Sequence, residues 1–303
     1  MQTRILTILE EVLDREEILQ DESMKLHTSF HIGGKADYFV SPSCEEKVRT
    51  LILRLKEEGI PYLVMGNGSN LLVRDKGIRG VVVRIGQNLS SYSIEGEEVY
   101  AEAGLLLSGL SKHILAESLE GFEFASGIPG TVGGAMTMNA GAYGGEMKDI
   151  VKAVRVLDSN GEIREIPGED MKFGYRRSRV IEDGLVVLGT RFLLKKGSYE
   201  QIRSKIEDFT HRRNTKQPVA DYSAGSTFKR PEGHFAGKLI DDAGLRGIRH
   251  KDAQVSQLHC GFVINKAEAS CEDVLELIRF VKKTVYDRFN VELEEEVKIV
   301  GEE

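Results

Sequence analysis

The sequence predicts a protein of mixed α+β structure with about two domains. Its 303 residues exceed the length of one typical domain, which is about 100–200 residues. Helical patterns alternate with short apolar runs along the whole chain. The composition, with 41% hydrophobic and 29% charged residues, is typical of a globular protein with a sizeable core.

Periodic apolar residues predict helices, the first at the N-terminus and the others further along. Ser43 with Glu46, and Ser270 with Asp273, have the spacing of a capping box, which marks the start of a helix. Gly59 fits the stop of the helix that Ser43 begins. The predicted ranges after the N-terminal helix are 43–58, 107–119, 199–214, 234–244 and 270–288.

Short apolar runs predict the strands. Residues 62–65 and 80–85 are apolar enough to be buried strands. Residues 151–166 predict a β-hairpin that turns near Asn160-Gly161, since Asn-Gly suits a tight hairpin turn. The alternating run 291–300 predicts a final strand.

The charge distribution bears on the partners of this protein. The net charge of −7 argues against general nucleic-acid binding. Residues 172–251 nevertheless hold 18 Lys and Arg against 9 Asp and Glu. This surplus fits either a solvated basic face or a site for a small anionic ligand.

Cysteine usage and hydropathy favour a cytoplasmic location. The three cysteines, at 44, 260 and 271, form no CxxC pair, no disulfide framework and no metal-ligand spacing, so no metal is expected. No apolar run approaches the roughly 18 residues of a membrane span. The N-terminal twenty residues carry acids from Glu10 onward and lack the features of a signal peptide.

Two glycine-rich stretches suggest a ligand. In VMGNGSNLLV (64–73), Gly and Asn tolerate positive φ, so successive backbone N–H groups can form an anion nest. The alternative is a plain β-turn. Residues 121–145 hold 8 of the 32 glycines, which would let a large flat ligand lie against the main chain. The alternative there is a set of tight turns. Together, a phosphate nest and a wide platform suggest a dinucleotide.

Ser226 stands in a tight Gly-Ser turn, within VADYSAGSTFKRP (219–231). A nucleophile elbow requires G-x-S-x-G, and this turn lacks the second glycine. From the turn alone, a serine that bonds its own backbone is the simpler interpretation.

Several blocks of sequence resemble the UDP-N-acetylenolpyruvoylglucosamine reductases. They occur in the order of that family and span nearly the whole chain: HTSFHIGGKADYFVSP, VMGNGSNLLV, ASGIPGTVGGAMTMNAGAYGG, FGYRRS, AGSTFKRP, AGKLIDDAGLRG, GFVIN and LEEEVKIVG. The resemblance implies the two-subdomain FAD-binding fold of vanillyl-alcohol oxidase and p-cresol methylhydroxylase, with a smaller α+β substrate-binding domain.

The resemblance also implies an activity and its partners. The family oxidises NADPH through non-covalent FAD and reduces an enolpyruvyl ether on a UDP-sugar, which gives UDP-N-acetylmuramate for peptidoglycan. The basic surplus of 172–251 then has an anionic partner, since UDP-sugars carry a pyrophosphate. Alternatives are another FAD-dependent oxidase or dehydrogenase of the same fold, and an inactive flavin or nucleotide-sugar binding protein. Neither a nucleic acid nor a membrane is expected as partner, and the oligomeric state stays open, with a monomer as one option.

Site residues follow from the matching motifs. Arg176 would stabilise charge on the substrate carboxylate, because a guanidinium stays charged and binds two oxygens at once. Ser226 would be a general acid rather than a nucleophile, and Glu296 would hold or protonate the enolate. The substrate-binding candidates are Tyr175, Lys229 and Lys238. The implied flavin-binding residues are Gly66, Asn67, Gly68, Ser69, Asn70, Gly127, Ile128, Pro129, Gly130, Thr131, Gly133, Gly134, Asn139, Gly141, Ala142 and Tyr143.

The sequence departs from the family at three points. Asn67 stands where a glycine is usual and keeps the tolerance for positive φ. Glu295 stands where a proline is usual, so Glu292, Glu294 and Glu296 all remain candidates for the acid, or the acidic run is a solvated edge strand. Only 50 residues separate Arg176 from Ser226, which resembles the shorter subtype of the family.

Domain boundaries are soft, since no Pro/Ser-rich linker is present. With the resemblance, we expect an N-terminal helix in 1–24, FAD-binding subdomains in 25–88 and 89–205, and a substrate-binding domain in 206–303. The C-terminal strand of that last domain would return to the active site.

Overall fold

The computed structural model describes residues 2–303, and these form eight α-helices. The helices are α1 (Gln2–Val12), α2 (Glu45–Glu57), α3 (Leu107–Ala116), α4 (Val132–Met138), α5 (Arg179–Glu182), α6 (Tyr199–Lys216), α7 (Ala236–Asp242) and α8 (Cys271–Phe289).

Within the same residues the strands are short. They are β1 (Ile18–Ser23), β2 (Lys35–Val40), β3 (Tyr62–Met65), β4 (Leu71–Val73), β5 (Ile78–Arg84), β6 (Tyr92–Glu95), β7 (Glu98–Glu102), β8 (Leu119–Glu120), β9 (Gly141–Ala142), β10 (Gly145–Glu146), β11 (Val151–Leu157), β12 (Ile163–Pro167), β13 (Val186–Leu193), β14 (Lys195–Lys196), β15 (Arg249–His250), β16 (Ala253–Val255), β17 (Val263–Asn265) and β18 (Lys298–Val300).

The chain divides into two compact units, each built from separate stretches. Unit 1 comprises the residues up to Leu19, then Tyr38–Asn67 and Gly80–Arg212. Unit 2 comprises Gln20–Asp37, Gly68–Arg79 and Arg213–Glu303. The predicted subdomain boundaries near 88 and 205 fall inside unit 1, and the predicted domain division stays a prediction.

A five-stranded antiparallel sheet lies in unit 1, in the order β12-β11-β13-β7-β6. The hairpin β11–β12 turns at Asp158–Gly161, where Gly161 has a φ of 83°. Helix α4 packs on β13. In a second sheet, of order β1-β2-β5-β3, β3 and β5 pair in parallel, with Tyr62 opposite Val81.

Helix α8 organises the core of unit 2. Its start is capped twice: Ser270 and Asp273 form the predicted capping box, and the Asp75 carboxylate accepts hydrogen bonds from the amides of Cys271 and Glu272 at 2.8 and 3.0 Å. The apolar face of α8 packs against the sheet β15-β16-β17 and helix α7. The core side chains of this helix include Val274, Leu277, Ile278, Val281 and Val285.

Most predicted elements are confirmed, and three features differ. Helix α2 has its predicted buried face, but Cys44 rather than Ser43 is its N-cap and no side-chain cap bond forms; the Ser43 hydroxyl instead bonds the Glu17 carboxylate. The predicted strand 291–300 was wrong in extent, because only Lys298–Val300 is regular strand. Helix α4 was not predicted, since its glycines conceal the apolar pattern.

Neither buried cysteine is expected to be reactive. Burial raises the pKa of Cys260 to about 11 and that of Cys271 to about 12, whereas Cys44 is exposed. Among residues 2–303, no helix has the length and apolar character of a membrane span. The same part of the chain holds no cluster of His, Cys, Asp and Glu that could bind a metal.

Candidate active site

The first glycine-rich stretch is a tight loop between β3 and β4. A Cβ on Gly66 would lie 2.4 Å from Thr131 Oγ1, within unit 1. Gly68 has a φ of 64°, and a Cβ there would lie 2.1 Å from the His27 carbonyl, within unit 2. Glycine is therefore required at both positions, because neighbouring protein atoms occupy the space of a Cβ, and glycines of this kind are compatible with an anion nest.

The second stretch begins with a capped helix rather than a continuous run of turns. Thr131 is the buried N-cap of α4, and its hydroxyl accepts from the Gly134 amide at 3.4 Å. Gly133 packs closely on Ala103, whose carbonyl accepts from the Gly133 amide at 2.8 Å. The contact between Gly66 and Thr131 therefore brings the two predicted cofactor segments together.

Gly134 has no comparable packing reason to be glycine. A Cβ there would make only an ordinary contact, 3.7 Å from Thr131 Oγ1. Glycine inside a helix costs about 1 kcal/mol relative to alanine. A glycine kept without a packing reason favours close approach of a ligand to this turn of α4.

The hairpin β9–β10 follows α4 and turns at Tyr143-Gly144. Both central residues have positive φ, 53° and 91°, as a type I′ turn requires. The Tyr143 ring stacks on Phe209 of α6 with centroids 4.5 Å apart, and the Arg212 guanidinium lies 4.9 Å from the Tyr143 ring centroid. The aromatic contact thus holds a turn that tyrosine adopts only at a cost.

Arg176 lies in a tight turn of unit 1. Gly174 and Arg177 exchange backbone hydrogen bonds of 3.0 and 3.2 Å across it. Arg176 has a φ of 55°, and its guanidinium lies 5.0 Å from the ring centroid of the exposed Tyr175. A non-glycine residue held at positive φ is a common feature of functional sites.

Ser226 lies in unit 2 and is half-buried. Gly225 before it has a φ of 76° with no atom within 4 Å of a built Cβ, so conformation alone requires that glycine. Thr227 after it is buried; its amide donates to the Gly261 carbonyl at 2.8 Å and its hydroxyl accepts from the Val263 amide at 2.9 Å. The serine is thus held on a fixed backbone.

Glu296 lies beside this turn. Its amide donates to the Thr227 carbonyl at 2.8 Å, and its carbonyl accepts from Asn70 Nδ2 at 3.2 Å. The backbone of Glu296 is therefore bonded, within unit 2, to the residue after Ser226 and to Asn70.

The neighbouring acids have other partners. Glu294 forms an ion pair with Lys229 at 2.7 Å, which lowers the pKa of Glu294. Glu295 forms one with Lys282 at 2.9 Å. These pairs give Glu294 and Glu295 local structural partners, and Glu296 stays the acid that the family motif predicts.

The other substrate-binding candidate, Lys238, is paired with Asp242 one helical turn along α7, at 2.8 Å. Both Lys238 and Asp242 are exposed at the side chain. The pairing of Lys238 and of Lys229 with acids of their own unit gives each a local structural role.

A pocket of about 250 Å³ in unit 2 was not predicted. Four of the residues that line this pocket carry primary amides. The lining residues come from two stretches that are distant in sequence. Those stretches are the end of α6 with the segment toward Ser226, and the strands β16 and β17. The amide-bearing residues are Asn214, Gln217, Gln254 and Gln257. Isolated amides leave no sequence pattern, so no motif could have shown this site.

Comparison with known proteins defines the class of this fold. Residues 36–167 match the FAD binding domain family, a range that contains both glycine-rich stretches. The solved structure of Phl p 4.0202, a glucose dehydrogenase, shares the fold with a TM-score of 0.51 at 14% identity, over 65% of this chain and 44% of that one. The chain therefore has an FAD-binding fold of the vanillyl-alcohol oxidase type.

More similar proteins narrow the class. The UDP-N-acetylenolpyruvoylglucosamine reductases of Clostridioides difficile and Alkaliphilus oremlandii are both 54% identical, over 96% and 97% of this chain and the same shares of their own. The crystal structure of the reductase from Thermus caldophilus matches with a TM-score of 0.80 at 35% identity, over 93% of this chain and 98% of that one. Residues 217–300 match the C-terminal domain of the same reductases. The chain belongs to the UDP-N-acetylenolpyruvoylglucosamine reductase family.

Proposed function

We infer that this protein is an FAD-dependent oxidoreductase that reduces the enolpyruvyl ether of UDP-N-acetylglucosamine enolpyruvate to UDP-N-acetylmuramate, with NADPH as the reductant. The observation that carries the inference is the hydrogen bond between the Glu296 amide and the Thr227 carbonyl. This bond ties the backbone of residue 296 to the segment that follows Ser226, in a chain of the reductase family, and it supports the proposal that both residues serve one site.

The residues at the two glycine-rich stretches fit FAD. Close packing of Gly66 and Gly68 on Thr131 and His27 fixes the first loop, whose glycine main chain can turn N–H groups toward a pyrophosphate, and Gly134 leaves room for a flat ring. Gly66–Asn70 would hold the pyrophosphate, and residues 127–143 would lie against the isoalloxazine. When bound, FAD supplies the hydride for the double bond.

The chain itself supplies charge stabilisation and a proton. Arg176 binds the substrate carboxylate, where negative charge develops as the double bond is reduced. Ser226 donates the proton to the adjacent carbon. Glu296, in its protonated form, would donate a hydrogen bond or the proton to the enolate.

The pocket in unit 2 suits the nucleotide end of the substrate. Its amides can pair with the donor and acceptor edge of a uracil ring. Lys266, paired with Asp221 at 2.8 Å, is a further lining residue. The product supplies peptidoglycan synthesis, and hence cell-wall formation and division, and a cytoplasmic location follows from the use of NADPH and a nucleotide sugar.

The test is the visible spectrum of the purified protein under anaerobic conditions. We expect a yellow protein that releases all its flavin on acid denaturation, that NADPH bleaches, and that the enolpyruvyl substrate turns yellow again. Colourless protein that FAD does not reconstitute would refute the cofactor. Reoxidation by a small carbonyl compound but not by the enolpyruvyl substrate would favour the alternative of another flavoenzyme of this fold.

A further inference from the structure

Asn139 is buried, with 1% of its surface exposed, and ends α4 in the left-handed conformation at a φ of 43°. All its polar atoms bond protein groups. Nδ2 donates to Glu146 Oε2 at 2.9 Å and to the Gly174 carbonyl at 3.2 Å. Oδ1 accepts from the Lys148 amide at 2.9 Å. The side chain therefore acts inside the protein.

The Gly174 carbonyl is the acceptor that matters most, since it belongs to the turn that carries Arg176. This carbonyl also accepts from the Arg177 amide at 3.2 Å. Left-handed backbone is unfavourable for a residue with a side chain, so the conformation of Arg176 needs support from its surroundings. Asn139 gives that support from outside the turn.

Glu146 connects the same amide to the charge of Arg176. Its carboxylate accepts from Asn139 and pairs with Lys148 at 2.8 Å. Lys148 chiefly, with Asn139 and the Arg176 charge, lowers the pKa of Glu146. Glu146 is therefore an anion at neutral pH, held chiefly by Lys148.

We propose that Asn139 is a positioning residue for Arg176, with Glu146 as the acceptor that holds the Asn139 amide in place. The clamp consists of Asn139, Glu146 and the Gly174 carbonyl. It keeps the turn that carries Arg176 in the conformation that presents the guanidinium to the substrate carboxylate. The proposal rests on the function proposed above for Arg176, and it gives the Asn139 side chain a role in substrate recognition.

Asn139→Asp tests the clamp, because it keeps size and tolerance of positive φ but replaces both N–H donors with a second carboxylate beside Glu146. Asn160→Asp, at the exposed tip of the β11–β12 hairpin, is the matched control. The first readout is amide hydrogen exchange in the apoprotein. We expect faster exchange at Gly174 and Arg177 in Asn139→Asp and no change in Asn160→Asp.

The second readout separates positioning from cofactor binding. Asn139→Asp should keep its FAD and its rate of bleaching by NADPH, while reoxidation by the enolpyruvyl substrate slows on the order of 10²-fold, as expected for a misplaced catalytic group. In the double variant with Arg176→Lys the two effects should be less than multiplicative, because both act on one guanidinium. Multiplicative effects, or loss of FAD, would overturn the proposal.

Two further results of these experiments distinguish a failure of the clamp from a failure of the proposed function. If the unmodified protein is not reoxidised by the enolpyruvyl substrate, the proposed function fails, and the exchange data still test the clamp. If Asn139→Asp does not fold, Glu146→Gln replaces it. That change replaces the charged acceptor of Asn139 with a neutral amide, and unchanged exchange at Gly174 together with unchanged reoxidation in Glu146→Gln would refute the clamp.

Discussion

Gly66→Ala tests the contact that joins the two cofactor segments. The new Cβ would lie 2.4 Å from Thr131 Oγ1, too close for any real contact, so Thr131 must move. The hydroxyl caps α4 through the Gly134 amide at 3.4 Å. Loss of that cap costs about 1 kcal/mol, and overpacking of a buried site costs about 1–3 kcal/mol. We expect Gly66→Ala to lower the free energy of unfolding by about 2–4 kcal/mol.

Urea unfolding of the apoprotein measures this loss, and two variants show its cause. Thr131→Ala removes the clashing hydroxyl, so the added cost of Gly66→Ala should fall by at least about 1 kcal/mol in that background. Gly109→Ala is the matched control, since its Cβ would meet only Leu105 Cδ1 at 3.8 Å, inside α3. It should stabilise the protein by about 0.5–1 kcal/mol through helix propensity.

The same variants report on the cofactor. Gly66→Ala should lose FAD during purification, because the loop must shift, while Gly109→Ala should retain it. The reasoning is refuted if Gly66→Ala is as stable as Gly109→Ala, or if its cost is the same with and without the Thr131 hydroxyl.

Four further predictions concern catalysis and the thiols. In Ser226→Ala, NADPH should still bleach the flavin while reoxidation by the enolpyruvyl substrate slows about 10²–10⁴-fold, as for loss of a general acid; near-normal reoxidation would return Ser226 to a structural role. In Arg176→Lys the same half-reaction should slow, since the two-oxygen contact is lost, and equal slowing of both half-reactions would contradict this. Glu296→Gln should slow reoxidation, followed by stopped flow, far more than Glu294→Gln, because the Glu294 side chain is exposed and paired with Lys229. A larger effect of Glu294→Gln would assign the catalytic role to Glu294. With a thiol reagent at pH 8, Cys44 should react fast, whereas thiols with a pKa of about 11 and 12 should react only on unfolding, as peptide mapping would show.

Sequence patterns predicted the elements whose signals are local. The capping box at Ser270 and the hairpin 151–166 depend on residues within one turn or one strand pair, and both are confirmed. The family resemblance named the site residues, and the structure adds a backbone bond from Glu296 to Thr227, the residue after Ser226.

What sequence could not show depends on contacts between distant residues. From its place in a glycine-rich run, the sequence predicts that Asn139 binds a ligand. In the structure its side-chain partners include Gly174, 35 residues away. The strand 291–295 was predicted from alternation, but that segment is held by single bonds to the turn after Ser226 instead of a continuous ladder. Glycine is required at position 66 because Thr131, 65 residues later, occupies the space of a Cβ. No local sequence pattern contains both residues.

The segmented make-up of unit 2 has a consequence for anyone who wishes to cut or recombine this protein. Its core includes Phe30 and Ile32 from the first of its stretches, Leu72 from the second and Val281 from the third. An excised piece that starts near residue 213 would lack the first three side chains and leave α8 partly uncovered. Chimaeras with relatives should therefore exchange the three stretches together, because a single crossover point cannot transfer a complete core.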